Sequence, residues 1–244
     1  MGKYVATVGM VMVLTSQLLA QPAVSVSSGV ANQYVAFGNG GVLYSKPVSQ
    51  SGLNISFGNG VYADFWGSKS LSGDSWGSNS GDEIDYGAGW SGKIGHEFSL
   101  NIGFTYFDEP MAMTFGPGDV WYTHAKVSHD LAICGLGDVT LFGVYENYTT
   151  VAGTSYEGGN LWSLGMSKSL SHKSLSVSTT GVLVYDEGTF GNDHGLLAKA
   201  GLEFDWKVSN HLTVVLPQVN LYVPWTVSDS RETEIVAYVG VSIH

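Results

Sequence analysis

The chain has 244 residues, of which 44% are hydrophobic and 13% charged, and its formal net charge is −11. The hydrophobic content argues against a disordered protein, and the negative charge argues against nucleic acid as a partner. A single cysteine, Cys134, excludes an intramolecular disulfide and a cysteine-rich metal site.

The first twenty residues predict an export signal. Lys3 is followed by an apolar run over 4–14 and by small residues over 16–20, which is the pattern of a cleaved secretory peptide. We expect cleavage after Ala20 and a mature domain over 21–244. An uncleaved anchor helix is disfavoured because the apolar run is short, and no later run approaches the ~18 residues of a membrane-spanning helix.

Twelve segments then alternate between apolar and polar residues, and we predict a β-strand at each. They cover residues 23–38, 53–57, 61–67, 83–90, 97–106, 119–127, 138–146, 159–169, 174–185, 194–206, 211–223 and 232–243. Asn59-Gly60 is a tight-turn signal, and Pro217 indicates a bulge. We predict about twelve strands, within a range of 10–14.

The fifth of these segments shows the alternation most clearly. Phe98, Leu100, Ile102, Phe104 and Tyr106 are apolar, and small or polar residues separate them. A strand places neighbouring residues on opposite faces, so this segment has one apolar face and one polar face. Aromatic residues gather at its ends, as in strands that cross a membrane.

The connections between the segments alternate between long and short. This asymmetry is typical of an outer-membrane barrel, with short periplasmic turns, long outer loops and both termini on the periplasmic side. In hydrocarbon a sheet must close to satisfy its backbone groups. The sequence therefore predicts an all-β, closed antiparallel barrel in the outer membrane of a Gram-negative-type bacterium. A soluble β-sandwich would leave the outward apolar stripes unexplained.

Charged residues are divided between the two kinds of connection. The short turns are basic, whereas the long loops are acidic, with Asp74, Asp82, Asp108, Glu109, Glu157, Asp186 and Glu187. We expect these carboxylates to form an acidic outer rim.

The same alternation predicts which charged side chains face the lumen. A charge on the lipid face would cost roughly 2–4 kcal/mol near the midplane, so an inward position is favoured. The predicted lumen and selectivity residues are Asp64, Asp85, His124, Lys126, Lys199, Glu203 and Asp205. Two interpretations stay open: an acidic, cation-selective constriction, or charges that pair across the lumen and hold the barrel together.

Catalytic and metal-binding patterns are weak. His172 and Ser174 are the nearest match to a serine–histidine pair, but they fall in a predicted periplasmic turn. The histidines lack metal-ligand spacing, and a solvated acidic loop is favoured over a Ca²⁺ site at Asp82, Glu83 and Asp85. We predict no enzyme, no metal and no cofactor.

Parts of residues 30–110 resemble an outer-membrane channel family labelled TorF, formerly a conserved domain of unknown function. The similar segments are QYVAFG at 33–38, PVSQ at 47–50, GVYADFW at 60–66, EIDYGAGWSG at 83–92 and FTYF at 104–107 followed by Pro110. Two departures are Phe37, where the family has a basic residue, and a final His244, where barrels usually carry an aromatic residue. The resemblance implies a pore but no particular solute.

The sequence thus favours a narrow passive channel, a porin, for small and cationic solutes, with outer-membrane lipid and small solutes as partners. A homo-oligomer is left open. The alternatives are a structural or adhesive barrel with a filled lumen and a lipid hydrolase built on a barrel.

Overall fold

The computed structural model describes residues 22–36, 38, 40–73, 75, 77, 80–108, 119–134, 137–151, 157–191, 193–226 and 232–244. The predicted export signal, Asp74 and Glu109 lie outside these residues. No helix in the described ranges is long and apolar enough to cross a membrane.

Twelve strands close into one antiparallel barrel, which confirms the predicted fold. The barrel strands are β1 (Ala23–Ala31), β4 (Val48–Ser56), β5 (Val61–Ser70), β6 (Glu83–Ile94), β7 (Phe98–Asp108), β8 (Val120–Ile133), β9 (Gly137–Thr150), β10 (Gly159–His172), β11 (Leu175–Asp186), β12 (Gly195–Lys207), β13 (Leu212–Pro224) and β14 (Glu234–Ile243). Each barrel strand pairs with the next one in this list, and β14 pairs with β1 to close the barrel.

The outer surface of the barrel is apolar. On β7 the side chains of Phe98, Ile102 and Phe104 are exposed, and Leu164 on β10 is 70% exposed. Aliphatic and aromatic side chains in this density around a closed barrel require hydrocarbon rather than water. The chain therefore spans the outer membrane of a Gram-negative-type bacterium, as the alternation predicted.

Long and short connections alternate as expected. The short ones cover residues 57–60, 95–97, 134–136, 173–174 and 208–211, and the long ones lie at the opposite end of the barrel. Several strands are longer than predicted, since β6 runs to Ile94 and β8 to Ile133. The predicted irregularity at Pro217 is confirmed, because the register between β13 and β14 shifts between Val215 and Gln218.

The first strand ends earlier than the sequence predicted. β1 stops at Ala31 instead of Gly38, and the chain forms a small hairpin from β2 (Tyr34–Val35) and β3 (Val42–Tyr44). Asn32 explains the end of the strand. Its backbone amide still donates to the Ala237 carbonyl at 3.1 Å, but its side-chain amide donates to the carbonyl of Ile235 and accepts from the amide of Ala237, so the side chain competes with the backbone for the ladder with β14.

Candidate functional site

The segment over residues 32–47, here called the lumen hairpin, enters the barrel from its outer end. One face packs on β13 and β14, where Val35 is buried against Tyr222 and Val236. The side-chain amide of Gln33 donates to Glu234 at 2.8 Å. These contacts attach the base of the hairpin to the last two strands.

The other face of the hairpin packs on β5 and β6. The Tyr34 hydroxyl donates a buried hydrogen bond of 2.5 Å to the Glu83 carboxylate, and its ring centroid lies 5.5 Å from that of Trp66. The Leu43 carbonyl accepts from the Ser80 hydroxyl. A buried hydrogen bond to a charged group is among the stronger contacts in a protein, so this face is firmly held.

The tip of the hairpin lies against β9 and β10, on the opposite side of the lumen from β1 and β4. A Cβ atom on Gly38 would overlap the Leu161 side chain and approach the Tyr148 hydroxyl to 2.9 Å. Gly40 has a φ of 71° and lies against the ring of Tyr222. Glycine is required at both positions, because a side chain would push the hairpin off the wall.

A cavity of about 310 Å³, here called the acidic cavity, lies between the hairpin and strands β5 to β9. Four carboxylates line it: Asp64, Glu83, Asp85 and Glu146. No lysine, arginine or histidine is among the described residues that line this cavity. The charged side chains of its described lining are therefore all carboxylates.

Aromatic rings form one wall of the acidic cavity. Phe107 and Tyr122 have centroids 5.7 Å apart, Tyr122 and Tyr148 are 5.0 Å apart, and Phe190 follows at 5.1 Å. The Tyr122 hydroxyl donates to Glu146 at 2.7 Å, which fixes that carboxylate at the end of the row. The cavity thus combines flat aromatic surface with fixed carboxylates.

Asp64 connects the acidic cavity to the periplasmic mouth. It lines both the acidic cavity and a space of about 370 Å³ at the mouth, and it accepts a 2.5 Å hydrogen bond from Asn54. Nearby, the Tyr62 hydroxyl donates to Asn101 at 3.2 Å, and the His124 Nε2 also contacts Asn101. This end of the lumen is polar and hydrogen-bonded.

The lumen beside strands β9 to β13 has a different character. A second cavity, of about 300 Å³, is lined by Glu146, Lys199 and Glu203 together with serine, threonine and amide side chains. The Lys199 ammonium lies 5.0 Å from the centroid of Tyr222. Both signs of charge occur here, and cation–π contact holds the lysine against the wall.

The remaining predicted lumen residues also lie on inner strand faces. Lys126 lies over the Phe142 ring at 4.5 Å, and His124 stacks on Tyr122 with centroids 5.3 Å apart. Asp205 follows Glu203 on the same face of β12. The structure therefore brings Asp64 and Asp85 together in one cavity, whereas Lys126, Lys199, Glu203 and Asp205 lie elsewhere in the lumen.

Glycines in the periplasmic half of the lumen lie under aromatic rings. Cβ atoms built on Gly89 and Gly103 would collide with the hydroxyl end of Tyr62. The Tyr238 ring lies in the same way over Gly29 and Gly240. Because each ring lies flat on a neighbouring strand, it takes little of the cross-section of the bore.

The outer acidic residues differ from the expected solvated rim. Asp82, Asp108 and Asp186 are each at most 1% exposed, and Asp108 and Asp186 are the last residues of β7 and β11. Asp186 accepts from the amide of Thr189 at 2.7 Å. Glu157 is exposed, and Glu187 is half-buried where Asn160 and Trp162 donate to it.

Asp82 organises the start of the β5–β6 connection. It pairs with Lys69 at 3.1 Å and accepts from the backbone amides of Ser70 and Gly77 at 2.8 and 2.7 Å. Burial alone would raise the pKa of Asp82, but the hydrogen bonds from Ser70, Lys69 and Gly77 hold it below its ordinary value. The carboxylate is therefore ionised at neutral pH.

Glu146 and Tyr34 are central to the lumen but were missed by sequence reasoning. Glu146 shares the lumen face of β9 with Phe142 and Val144. The rule that favours an inward position for a charged side chain also identifies Glu146. Tyr34 was assigned to the wall, although the alternation of residues 34–36 fits the hairpin equally well.

Neither a catalytic pair nor a metal cluster is apparent in the described part of the chain. His172 and Ser174 are exposed at the β10–β11 turn, at the end of the barrel away from the acidic cavity. Among the residues with described placement, no group of three or more His, Cys, Asp or Glu side chains is arranged to hold a metal ion.

Solved structures with this fold include two porins and a translocator domain. The KdgM porin matches with a TM-score of 0.57 and 12% identity over 91% of this chain and 99% of that chain. The NanC porin matches with a TM-score of 0.55 and 10% identity over 91% of this chain and 100% of that chain. The translocator domain of autotransporter NalP from Neisseria meningitidis matches with a TM-score of 0.54 and 16% identity over 99% of this chain and 96% of that chain.

These likenesses show the fold, an outer-membrane barrel of twelve strands. No family model and no curated protein matches the sequence. The resemblance to the TorF family accordingly stays a prediction.

Proposed function

We propose that the protein is a porin: a narrow passive channel of the outer membrane that passes small solutes and prefers cations. The observation that carries this proposal is the acidic cavity inside a closed, lipid-facing barrel. Passage through a bore requires polar groups along its length, and the sign of the wall charge selects the ion.

The cavities follow one another around the hairpin. The acidic cavity shares Asp64 with the periplasmic mouth and Glu146 with the second cavity. A third space, of about 260 Å³, shares Tyr34 with the acidic cavity and Lys199 with the second. A solute that passes the hairpin therefore meets carboxylates and aromatic rings on one side and both signs of charge on the other.

Charge decides which solutes the proposed channel would favour. One solved form of the KdgM porin is in complex with disordered oligogalacturonate, an acidic oligosaccharide. Here the carboxylates of Asp64, Asp85 and Glu146 would repel such a ligand, because Coulomb repulsion is weakly screened inside a narrow bore. We expect cations to be favoured over anions.

Single-channel recording in a planar bilayer tests the proposal. With a KCl gradient, purified protein should give discrete current steps whose reversal potential shows cation preference. Replacing Asp64 and Asp85 by asparagine should move the reversal potential towards zero. Glu203→Gln is the matched control outside the acidic cavity, because Glu203 lines the second cavity, and its effect should be smaller. A folded, inserted barrel that stays silent would refute the channel.

The second candidate is a structural or adhesive barrel with a filled lumen. The observation in its favour is the hairpin, which crosses the bore from β1 and β4 to β9 and β10. If this candidate is correct, the parent protein is silent and loop deletions change adhesion without creating a defined conductance in the intact barrel.

A further inference from the structure

The lumen between the hairpin and strands β1, β4, β13 and β14 contains a flat aromatic ring. Tyr238 lines the third cavity, of about 260 Å³, and its ring lies over Gly29 of β1 and Gly240 of its own strand. The side chain is half-buried, and no other aromatic ring in the described part of the chain contacts it. One face of the ring therefore rests on the wall, and the other borders the cavity.

Two side-chain amides flank this ring. Gln218 lies directly opposite Tyr238 in the pairing of β13 with β14, and Gln50 lies directly opposite Gly29, over which the ring extends. Residues that face each other in an antiparallel pair project from the same face of the sheet. Both amides line the same cavity as the ring, so the wall presents an amide, a ring and an amide in sequence.

The polar row continues into the second cavity. Asn220 lines both cavities, and its Oδ1 atom lies 2.9 Å from a Cβ atom built on Gly201. Thr180 pairs with Gly201 from the other side and lines the second cavity. We call these side chains the amide face: Gln50, Tyr238, Gln218, Asn220 and Thr180.

The hydrogen-bonding groups of the amide face are available to a solute. Within the described residues, the side-chain amides of Gln50, Gln218 and Asn220 make no hydrogen bond to the protein. Each amide can both donate and accept, as can a hydroxyl group of a ligand. An ion would use half of this capacity, because an anion accepts and an ammonium group donates.

The charges near the amide face are already engaged. Lys199 is the one charged side chain among the described residues that line the third cavity. Its ammonium group lies 5.0 Å from the centroid of Tyr222, and it interacts with the Glu146 carboxylate. A neutral ligand that carries several hydroxyl groups therefore suits this wall better than an ion.

We propose that the amide face is a binding subsite for a small neutral sugar in its pyranose form. The flat C–H face of a pyranose with equatorial hydroxyls packs on the Tyr238 ring, whose π face is negative and attracts C–H groups. The hydroxyls at the rim of the sugar bond to the amides of Gln50 and Gln218. Asn220 lies where a substituent of the sugar enters the second cavity, of about 300 Å³.

This inference rests on the proposed channel for its transport meaning, but binding is measured separately. The probe is methyl β-D-glucopyranoside, and the comparison is sorbitol, an open-chain polyol without a rigid flat face. The whole folded protein is held in a detergent without a sugar headgroup. Saturation-transfer NMR should show transfer to the glucoside, strongest at its ring C–H protons, and little to sorbitol. In a bilayer, the glucoside should reduce the potassium current saturably, whereas sorbitol should not.

Variants locate the site. Tyr238→Leu should weaken the apparent affinity for the glucoside by about threefold to tenfold, because the stacking surface is lost. Gln218→Leu should weaken it by about threefold to tenfold through the lost hydrogen bonds, and it tests the site should Tyr238→Leu fail to fold. Heat-modified electrophoretic mobility shows whether each variant has folded.

Tyr62→Leu is the matched control. The Tyr62 ring also lies over glycines, Gly89 and Gly103, but it lines the space at the periplasmic mouth. Its replacement should leave the affinity for the glucoside unchanged.

The outcomes separate the two proposals. Glucoside binding without any conductance refutes the channel and keeps the subsite. Conductance without saturation transfer to the glucoside, or with equal transfer to sorbitol, overturns the subsite and keeps the channel. Equal weakening by Gln218→Leu and Tyr62→Leu would also overturn the subsite, because it would show general contact with the lumen.

Discussion

The outer and periplasmic halves of the lumen narrow the bore by different means. In the outer half a segment of chain packs against the wall, with apolar clusters around Tyr34, Val35 and Leu161. In the periplasmic half, rings such as Tyr62 and Tyr238 lie flat over glycines of neighbouring strands. The outer restriction depends on contacts far apart in sequence, whereas the inner one depends on adjacent strands.

Removing the lumen hairpin should have the largest effect on conductance, because it takes away the outer restriction. Replacing residues 34–44 by a short glycine–serine linker takes away the hairpin that lies between β5, β6, β13 and β14 in the bore. Conductance should rise severalfold, because the cross-section of a twelve-strand barrel is then available. Single-channel current measures it. An unchanged step size would mean that the hairpin does not limit flow.

Tyr34→Phe should loosen the packing of the hairpin against the wall while leaving the hairpin in place. The substitution leaves the buried Glu83 carboxylate without the 2.5 Å hydrogen bond, a cost of roughly 1–3 kcal/mol in the free energy of unfolding. We expect a lower urea concentration at the midpoint of unfolding and larger fluctuations in the single-channel current. Tyr44→Phe is the control, because within the described residues its hydroxyl makes no hydrogen bond. Equal effects of both variants would count against the Tyr34–Glu83 bond as an anchor.

Gly103→Ala should narrow the periplasmic half by a modest amount. The added methyl group would lie 2.7 Å from the Tyr62 hydroxyl and 2.8 Å from the His124 ring, so both side chains must move from the wall towards the bore. Conductance should fall by a fraction of its value. Gly181→Ala is the matched control, since its added methyl group meets nothing within 4 Å. A fall in the control as well would point to a general effect on the strands.

The smallest expected effect concerns pH and the β5–β6 connection. The pKa of Asp82 is held below its ordinary value of 3.8, so its contribution to stability is complete above that value. It is lost as the pH falls through the lowered pKa. Exchange of the Ser70 and Gly77 amides, corrected for intrinsic rate, should stay slow down to about this range and quicken only below it.

Asp82→Asn provides the comparison for this measurement. The amide keeps the size of the side chain but cannot pair with Lys69 as a charge, so exchange should be faster at neutral pH and less dependent on acid. Acid-dependent exchange of the same size in the variant would show that another group controls the connection.

The wall of the barrel was predictable because its signal is local. Alternation with period two assigns faces, and turn residues mark the ends, so the twelve strands, the connection lengths and the irregularity at Pro217 all followed from the sequence. The ends of the strands were predicted less accurately than their number. β8 continues to Ile133, since polar residues near a membrane surface pair as readily as apolar ones.

The contents of the lumen were harder to predict, because they depend on contacts between distant residues. Tyr34 and Glu83 are 49 positions apart, and Gln33 and Glu234 are 201 apart. Alternation places Glu146 inward, but it does not show that the Tyr122 hydroxyl, 24 positions away, donates to it. Asp108 and Asp186 are buried at the ends of their strands, and alternation assigns a face to a residue but not its burial.

The attachment of the hairpin also sets an order of events during assembly. The hairpin directly follows the first strand, yet Asn32, Gln33 and Val35 attach to residues 222–237, which are synthesised last. Complete docking cannot precede the arrival of β13 and β14 beside β1. Docking of the hairpin is thus a late step that follows barrel closure. A barrel that stalls before its final strands are added would still have an undocked hairpin.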